Sequence, residues 1–200
     1  MKRSILFLLA GALLLTGCKK NTETLVTNSS SNSIANGQFV KYTIRKGNQY
    51  CDQNVFRSVS VRDLKFTARF DSSAIYQTKD PSNQYDINKL YGFSDNNADH
   101  HSYSARFGWR WSDNALRLFA YIYNEGSMSS KELGTIAIGS QANCEIKVDS
   151  STYIFTLNGT STSMPRLSTT TTGSGYQLYP YFGGDETAPH DINIWIRSGE

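Results

Sequence analysis

YSARFGWRWSDNALRLFAYIYN, residues 103 to 124, reads as two long strands joined by a polar turn. In the first arm Tyr103, Ala105, Phe107, Trp109 and Trp111 fall on one face, and Ser104, Arg106, Gly108 and Arg110 on the other. Side chains alternating with a period of two mark a strand. The second arm sets Leu116, Leu118, Ala120 and Ile122 against Arg117, Phe119, Tyr121 and Tyr123. A four-residue loop over 112–115 puts Trp111 opposite Leu116 and brings both apolar rows onto one face. The same register places Arg106 across from Tyr121 and leaves room beside Phe119 at Gly108. An outward row of arginines and aromatic rings is what a sheet presents to a flat polar ligand.

The rest of the chain extends this pattern. VRDLKFTARFD places Leu64, Phe66, Ala68 and Phe70 on one side of a strand, and HDINIWIRS does the same with Ile192, Ile194 and Ile196, turning Asn193, Trp195 and Arg197 the other way. TYIFTLNG sets Tyr153, Phe155 and Leu157 against Ile154 and Thr156. Asp80-Pro81-Ser82-Asn83 and Asn124-Glu125-Gly126-Ser127 are turn signals, while Asn158-Gly159 is a hairpin dipeptide that here opens a longer polar stretch. Residues 85–102 read mostly as loop, and 169–175 as a low-complexity polar loop. With 12 Tyr and 10 Phe and no convincing helix after the N-terminal segment, nine or ten short strands imply an all-β, two-sheet antiparallel sandwich. A formal net charge of +3 with 18% charged residues gives no strong field for nucleic acid.

The N-terminus carries an address. Lys2 and Arg3 precede an almost wholly apolar run from Ser4 to Leu15, too short to span a bilayer, and the run closes on Leu15-Thr16-Gly17-Cys18. These last residues resemble the lipobox of bacterial lipoproteins. The resemblance implies a signal peptide over 1–17, lipidation of Cys18, and anchoring in a membrane; Lys19 at the next position favours the outer membrane. Residues 18–38, rich in Ser, Asn and Thr, then form the lipidated cysteine and a flexible tether, because such a segment cannot bury enough apolar area to offset its ordering entropy. The sandwich occupies 39–200.

With Cys18 assigned to lipid, Cys51 and Cys144 remain as a pair in an oxidising compartment, where a disulfide is the default and two buried thiols the alternative. His100, His101 and His190 lie in loops near Asp95, Asp99, Asp185, Glu186 and Asp191, but without metal-ligand spacing. Solvated turns explain them more simply, and no metal or other cofactor is expected. Tyr179-Pro180-Tyr181-Phe182-Gly183-Gly184 is either a sugar-stacking platform or a rigid corner fixed by proline and freed by glycine.

The aromatic hairpin, the EIKVDSSTYIFTLNG hairpin and the closing amphipathic strand together resemble concanavalin-like and laminin-G-like jelly rolls. Residues 175–191, GYQLYPYFGGDETAPHD, look like a signature of Bacteroides-like outer-membrane lipoproteins. Three functions fit. In the first, Phe119, Tyr121, Tyr123 and Trp195 stack on pyranose rings while Arg106, Arg110 and Arg117 pair with the carboxylates or sulfates of an acidic polysaccharide. The competing structural reading has the arginines capping carboxylates such as Asp71 or Asp86 beneath more loop. In the second, AYIYNE at 120–125 is similar to the tyrosine-bearing motif of alginate-lyase-type jelly rolls. That similarity implies Tyr123 as the proton-transfer group, although Tyr121 replaces the family's glycine and its Gln-x-His and Arg-rich strands are missing. In the third, the aromatic face packs against another cell-surface protein.

Overall fold

The computed structural model describes residues 37–199, all within one compact unit, Ile34–Glu200. The expected signal segment and the lipidated Cys18, with all but the last two residues of the tether, lie outside the described residues. In chain order the strands are β1 (Val40–Ile44), β2 (Ser58–Val61), β3 (Asp63–Phe70), β4 (Asn88–Ser94), β5 (Ser104–Ser112), β6 (Ala115–Asn124), β7 (Ser127–Ile136), β8 (Gln141–Asp149), β9 (Thr152–Leu157), β10 (Thr160–Pro165), β11 (Gly173–Leu178) and β12 (Ile192–Ser198). Two 3₁₀ turns, Ser72–Ala74 and Pro81–Tyr85, separate β3 from β4. The strands form two six-stranded antiparallel sheets. The first runs β1-β12-β3-β8-β9-β10 and the second β2-β11-β4-β5-β6-β7. The fold is an all-β jelly-roll sandwich.

Each alternating strand buries its apolar row between the sheets. Phe107 of the second sheet meets Phe66 and Phe155 of the first, both with ring centres 5.4 Å away, and Trp109 lies 5.3 Å from Phe70. Ile192, Ile194 and Ile196 are buried as the alternation implies. The central hairpin keeps the expected register, with Trp111 opposite Leu116 and Arg106 opposite Tyr121. Its turn is tighter than four residues: Ser112 pairs with Ala115, and only Asp113 and Asn114 turn the chain, both at positive φ (51° and 56°). Two left-handed residues match the twist of the flanking strands, and Asp and Asn tolerate that conformation.

Three expectations change. Residues 85–102 contain β4, a strand at the middle of the second sheet; a bulge between Lys89 and Tyr91 sends both Leu90 and Tyr91 inward and erases the period of two. After Asn158-Gly159 the chain returns directly as β10, an edge strand whose residues are polar on both sides up to Met164 and Pro165. Finally, Cys51 and Cys144 are both free and buried. Cys51 bridges Ile44 at the edge of the first sheet, whereas Cys144 lies on β8 beyond β1, β12 and β3. Four strand spacings amount to about 19 Å, well outside disulfide reach.

The polar loop after β10 is pinned from within. Arg166 donates to Asp95 through Nε at 2.8 Å and through a terminal nitrogen at 3.3 Å, and also to the Ser150 and Thr172 carbonyls. Asp95 in turn accepts from the Tyr153 hydroxyl, Thr170 Oγ1 and the Ser174 backbone N–H. Both charges are buried, so the loop is held by a satisfied ionic network rather than by apolar contact.

Candidate functional site

The outer face of the second sheet centres on Arg106. It sits between β4, where Gly92 is its partner, and β6, where Tyr121 is. A side chain at position 92 would overlap the Ala105 carbonyl and the Arg106 Cβ, so glycine is what lets the two strands approach here. The guanidinium carbon lies 5.4 Å from the Tyr121 ring centre, and Lys89 Nζ lies 5.1 Å from the same ring. Two cations thus share one tyrosine. Tyr181 closes the next side: its backbone exchanges hydrogen bonds with Lys89 at 2.8 and 3.0 Å, and its ring stands edge-on to Tyr50 at 5.0 Å. Tyr123 and Tyr176 complete the surround and, with Tyr121 and Tyr181, interact electrostatically with Arg106.

Arg106 is only 6% exposed, its Nε has no hydrogen-bond partner, and the ion pairs among the described residues leave it out. Burial draws its pKa down to about 10. Burial, aided by repulsion from Arg106, draws Lys89 down to about 8. The tyrosines move the other way: desolvation raises Tyr121, Tyr176 and Tyr181 above the ordinary phenol value, so they are neutral at pH 7 and supply no counter-charge. His100 accepts or donates at 2.8 Å to the Tyr176 hydroxyl, and burial holds its pKa below the usual imidazole value. The site therefore carries two cations among neutral hydroxyls, with Asp86 near enough to act on Lys89 and Tyr121 but not among the groups acting on Arg106. Desolvating a charge without a partner is costly, and an incoming anion would remove that cost.

The other sequence-predicted residues divide. Arg117 is already paired, with Glu132 at 2.8 Å and Asp113 at 3.2 Å, so it caps carboxylates as the structural reading expects, though not Asp71 or Asp86. Arg110 donates to the Tyr85 carbonyl and Ser112 Oγ and stacks over Phe119 at 4.8 Å and Tyr85 at 5.3 Å. The row is not the open, water-facing surface that alternation suggests: Phe119 and Tyr121 are 4% and 6% exposed, covered by the rings and cations themselves. Around Arg106, Lys89, Arg110, Tyr123, Tyr176 and Tyr181 are half-buried. Trp195 does not join them, because β12 belongs to the first sheet.

Lys89, Tyr176 and Tyr181 escaped the sequence reading as members of this site. Lys89 sits at the bulge that hid β4, and Tyr181 belongs to the corner segment: Phe182, next to it, packs inward against Tyr76 at 4.9 Å while Tyr181 points to the outer face, so the segment turns a corner and presents one ring on that face. The histidine loops stay apart: His190 bonds the Ser73 carbonyl, whereas His100 and His101 lie beside Asp99. Among the described residues no group of three or more His, Cys, Asp or Glu is placed to hold a metal ion.

No protein-family model and no curated protein sequence matches the chain. Solved structures do. The alginate lyase AlyC3 superposes with a TM-score of 0.54 at 9% identity, covering 79% of this chain and 72% of that one. A glycoside hydrolase family 16 protein of the Bacteroides ovatus mixed linkage glucan PUL, in complex with a product, gives 0.54 at 11% identity over 80% and 79%. The catalytic domain of an endo-1,3-beta-glucanase (laminarinase) from Thermotoga petrophila gives 0.51 at 10% identity over 81% and 76%. At such identities the likeness is one of fold: this chain shares the jelly-roll sandwich of polysaccharide lyase and glycoside hydrolase domains.

Proposed function

We propose that this protein is a lipid-anchored, outer-membrane glycan-binding module that takes an acidic polysaccharide on the outer face of its second sheet. The observation that carries the reading is Arg106, a buried guanidinium without an anion, beside Lys89 and ringed by neutral tyrosines. The planar fork of Arg106 and the ammonium of Lys89 suit a carboxylate or sulfate, and Tyr181 and Tyr123 offer ring faces and hydroxyls to the sugar. Glycan-processing proteins on the same fold support this reading. Hydrolysis is disfavoured around Arg106: β4, β5 and β6 contain no Asp or Glu, and Glu132 of neighbouring β7 is taken up by Arg117, whereas a glycosidase needs two carboxylates flanking the bond.

Affinity electrophoresis or calorimetry with uronic-acid and sulfated polysaccharides, beside neutral glucans, tests the proposal. Arg106→Met is expected to weaken acidic-glycan binding about 10- to 100-fold, the worth of a charged hydrogen-bonded contact, and to leave thermal stability unchanged or higher, because an unpaired buried charge is removed. Equal binding by Arg106→Met, Tyr121→Ala and the unaltered protein would refute it. The pH dependence has a definite sign. An anion favours protonated Lys89, so affinity is expected to be flat below about pH 8 and to fall above it as Lys89 loses its proton; Lys89→Arg should move that fall to higher pH.

One observation favours a second reading. A lysine with a pKa near 8 beside a guanidinium is suited to accept the proton α to a uronate carboxylate that Arg106 neutralises, the first step of a lyase elimination. The residue that the lyase resemblance points to, Tyr123, lies on this same face next to Tyr121, with His101 5.4 Å from its ring. Growth of ultraviolet absorbance from an unsaturated product, lost in Lys89→Met, would establish catalysis; binding without absorbance establishes the module.

A further inference from the structure

The outer face of the first sheet has a chemistry of its own. Register places Lys41 beside Trp195 and Trp195 beside Arg69 on three adjacent strands. Lys41 Nζ and the Arg69 guanidinium lie 5.6 and 5.0 Å from the Trp195 ring centre, and Arg69 and Arg197 lie 5.5 and 4.8 Å from that of Phe39. Three cations and two rings thus form one continuous ladder. Among the described residues, the ion pairs include none of Lys41, Arg69 and Arg197. The cations face rings and, for Arg197, the Thr67 hydroxyl at 3.4 Å, but no carboxylate; Lys41 is exposed while Phe39, Arg69, Trp195 and Arg197 are half-buried.

Two facts identify an occupant. The ladder pairs aromatic rings with unneutralised cations, the combination that settles at the headgroup level of an anionic bilayer. The described chain also begins at this patch: Gly37 and Gln38 lead into Phe39, so the preceding 36 residues, with the apolar run and Cys18, join the domain beside the ladder. We infer that this face docks on an anionic phospholipid surface. Because the sheets of a sandwich lie back to back, docking through the first sheet leaves the Arg106 face of the second directed away from the lipid. The docking inference does not require Cys18 to be lipidated, nor Arg106 to bind glycan.

The test uses residues 34–200, the compact unit with its own two-sheet core, without any lipid anchor. Sedimentation with phosphatidylcholine vesicles, with and without phosphatidylglycerol, is expected to show binding only to the anionic vesicles and release at high salt. The triple variant Lys41→Gln/Arg69→Gln/Arg197→Gln is expected to lose about a hundredfold in vesicle affinity, roughly fivefold per cation, while Arg106→Met binds vesicles as the unaltered domain does. Should the triple variant unfold, the exposed single change Lys41→Glu serves instead and is expected to weaken binding at least fivefold. The inference is overturned by equal binding to neutral and anionic vesicles, by no loss in these variants, or by loss in Arg106→Met. It is also overturned if the variants lose polysaccharide binding while keeping vesicle binding, which would make the ladder a second glycan surface.

Discussion

Replacing Arg166 by Ala is expected to destabilise the protein by about 3–5 kcal/mol, because it leaves the Asp95 carboxylate buried without its cation. The loss reaches further than one ion pair. Arg166 also holds the carbonyls and hydroxyls of residues 150 and 168–172, while Asp95 fastens Tyr153 and the start of β11. Urea unfolding should show Arg166→Ala and Asp95→Ala each strongly destabilised, and the double variant much less so than their sum, since it strands no charge. Additive losses would mean that the pair is not coupled. The pH dependence follows from Asp95. Burial alone would raise its carboxyl, but hydrogen bonds from Arg166, Tyr153 and the backbone of Ser174 and Asn96 prevail and hold it below the ordinary carboxylate range. With a depressed folded pKa, its contribution is complete above the unfolded value near pH 4 and is lost as pH falls below it. Asp95→Ala should abolish that part of the acid transition.

Trp109→Ala is expected to cost about 3–5 kcal/mol, lowering the melting temperature by on the order of 10 °C for a domain of this size. Trp109 is fully buried where the two sheets meet the segment after β3, with Phe70, Tyr76 and Phe182 around it at 5.3, 5.8 and 6.4 Å. Its indole N–H is buried without a partner. Trp109→Phe should therefore cost far less, about 1 kcal/mol, because the smaller ring loses packing but also removes an unsatisfied donor worth about 1–3 kcal/mol. If Phe proves as damaging as Ala in calorimetry, the indole nitrogen is making a contact that offsets its burial.

Both faces proposed to bind follow from strand alternation, yet they differ in how far the chain order discloses them. The hairpin of β5 and β6 is read directly: its residues are neighbours in sequence, its turn admits one register, and Arg106 has to meet Tyr121. Tyr176 and Tyr181 reach Arg106 only because β11 and the segment after it meet β4 across a long sequence separation, and Lys89 because of its place at the bulge of β4. No local pattern encodes that. Trp195 shows the opposite error, since its alternation is correct but its sheet is chosen by the pairing of β12 with β1 and β3.

From sequence alone come the sandwich, the apolar rows that close it, and the hairpin that positions Arg106, because a period of two and a tight turn are properties of neighbouring residues. Tertiary structure alone decides that Cys51 and Cys144 stay apart, that Arg117 is neutralised while Arg106 is not, and that the outer row is roofed by its own rings. Those outcomes depend on which distant strands become adjacent, and burial and counter-charge exist only once they do.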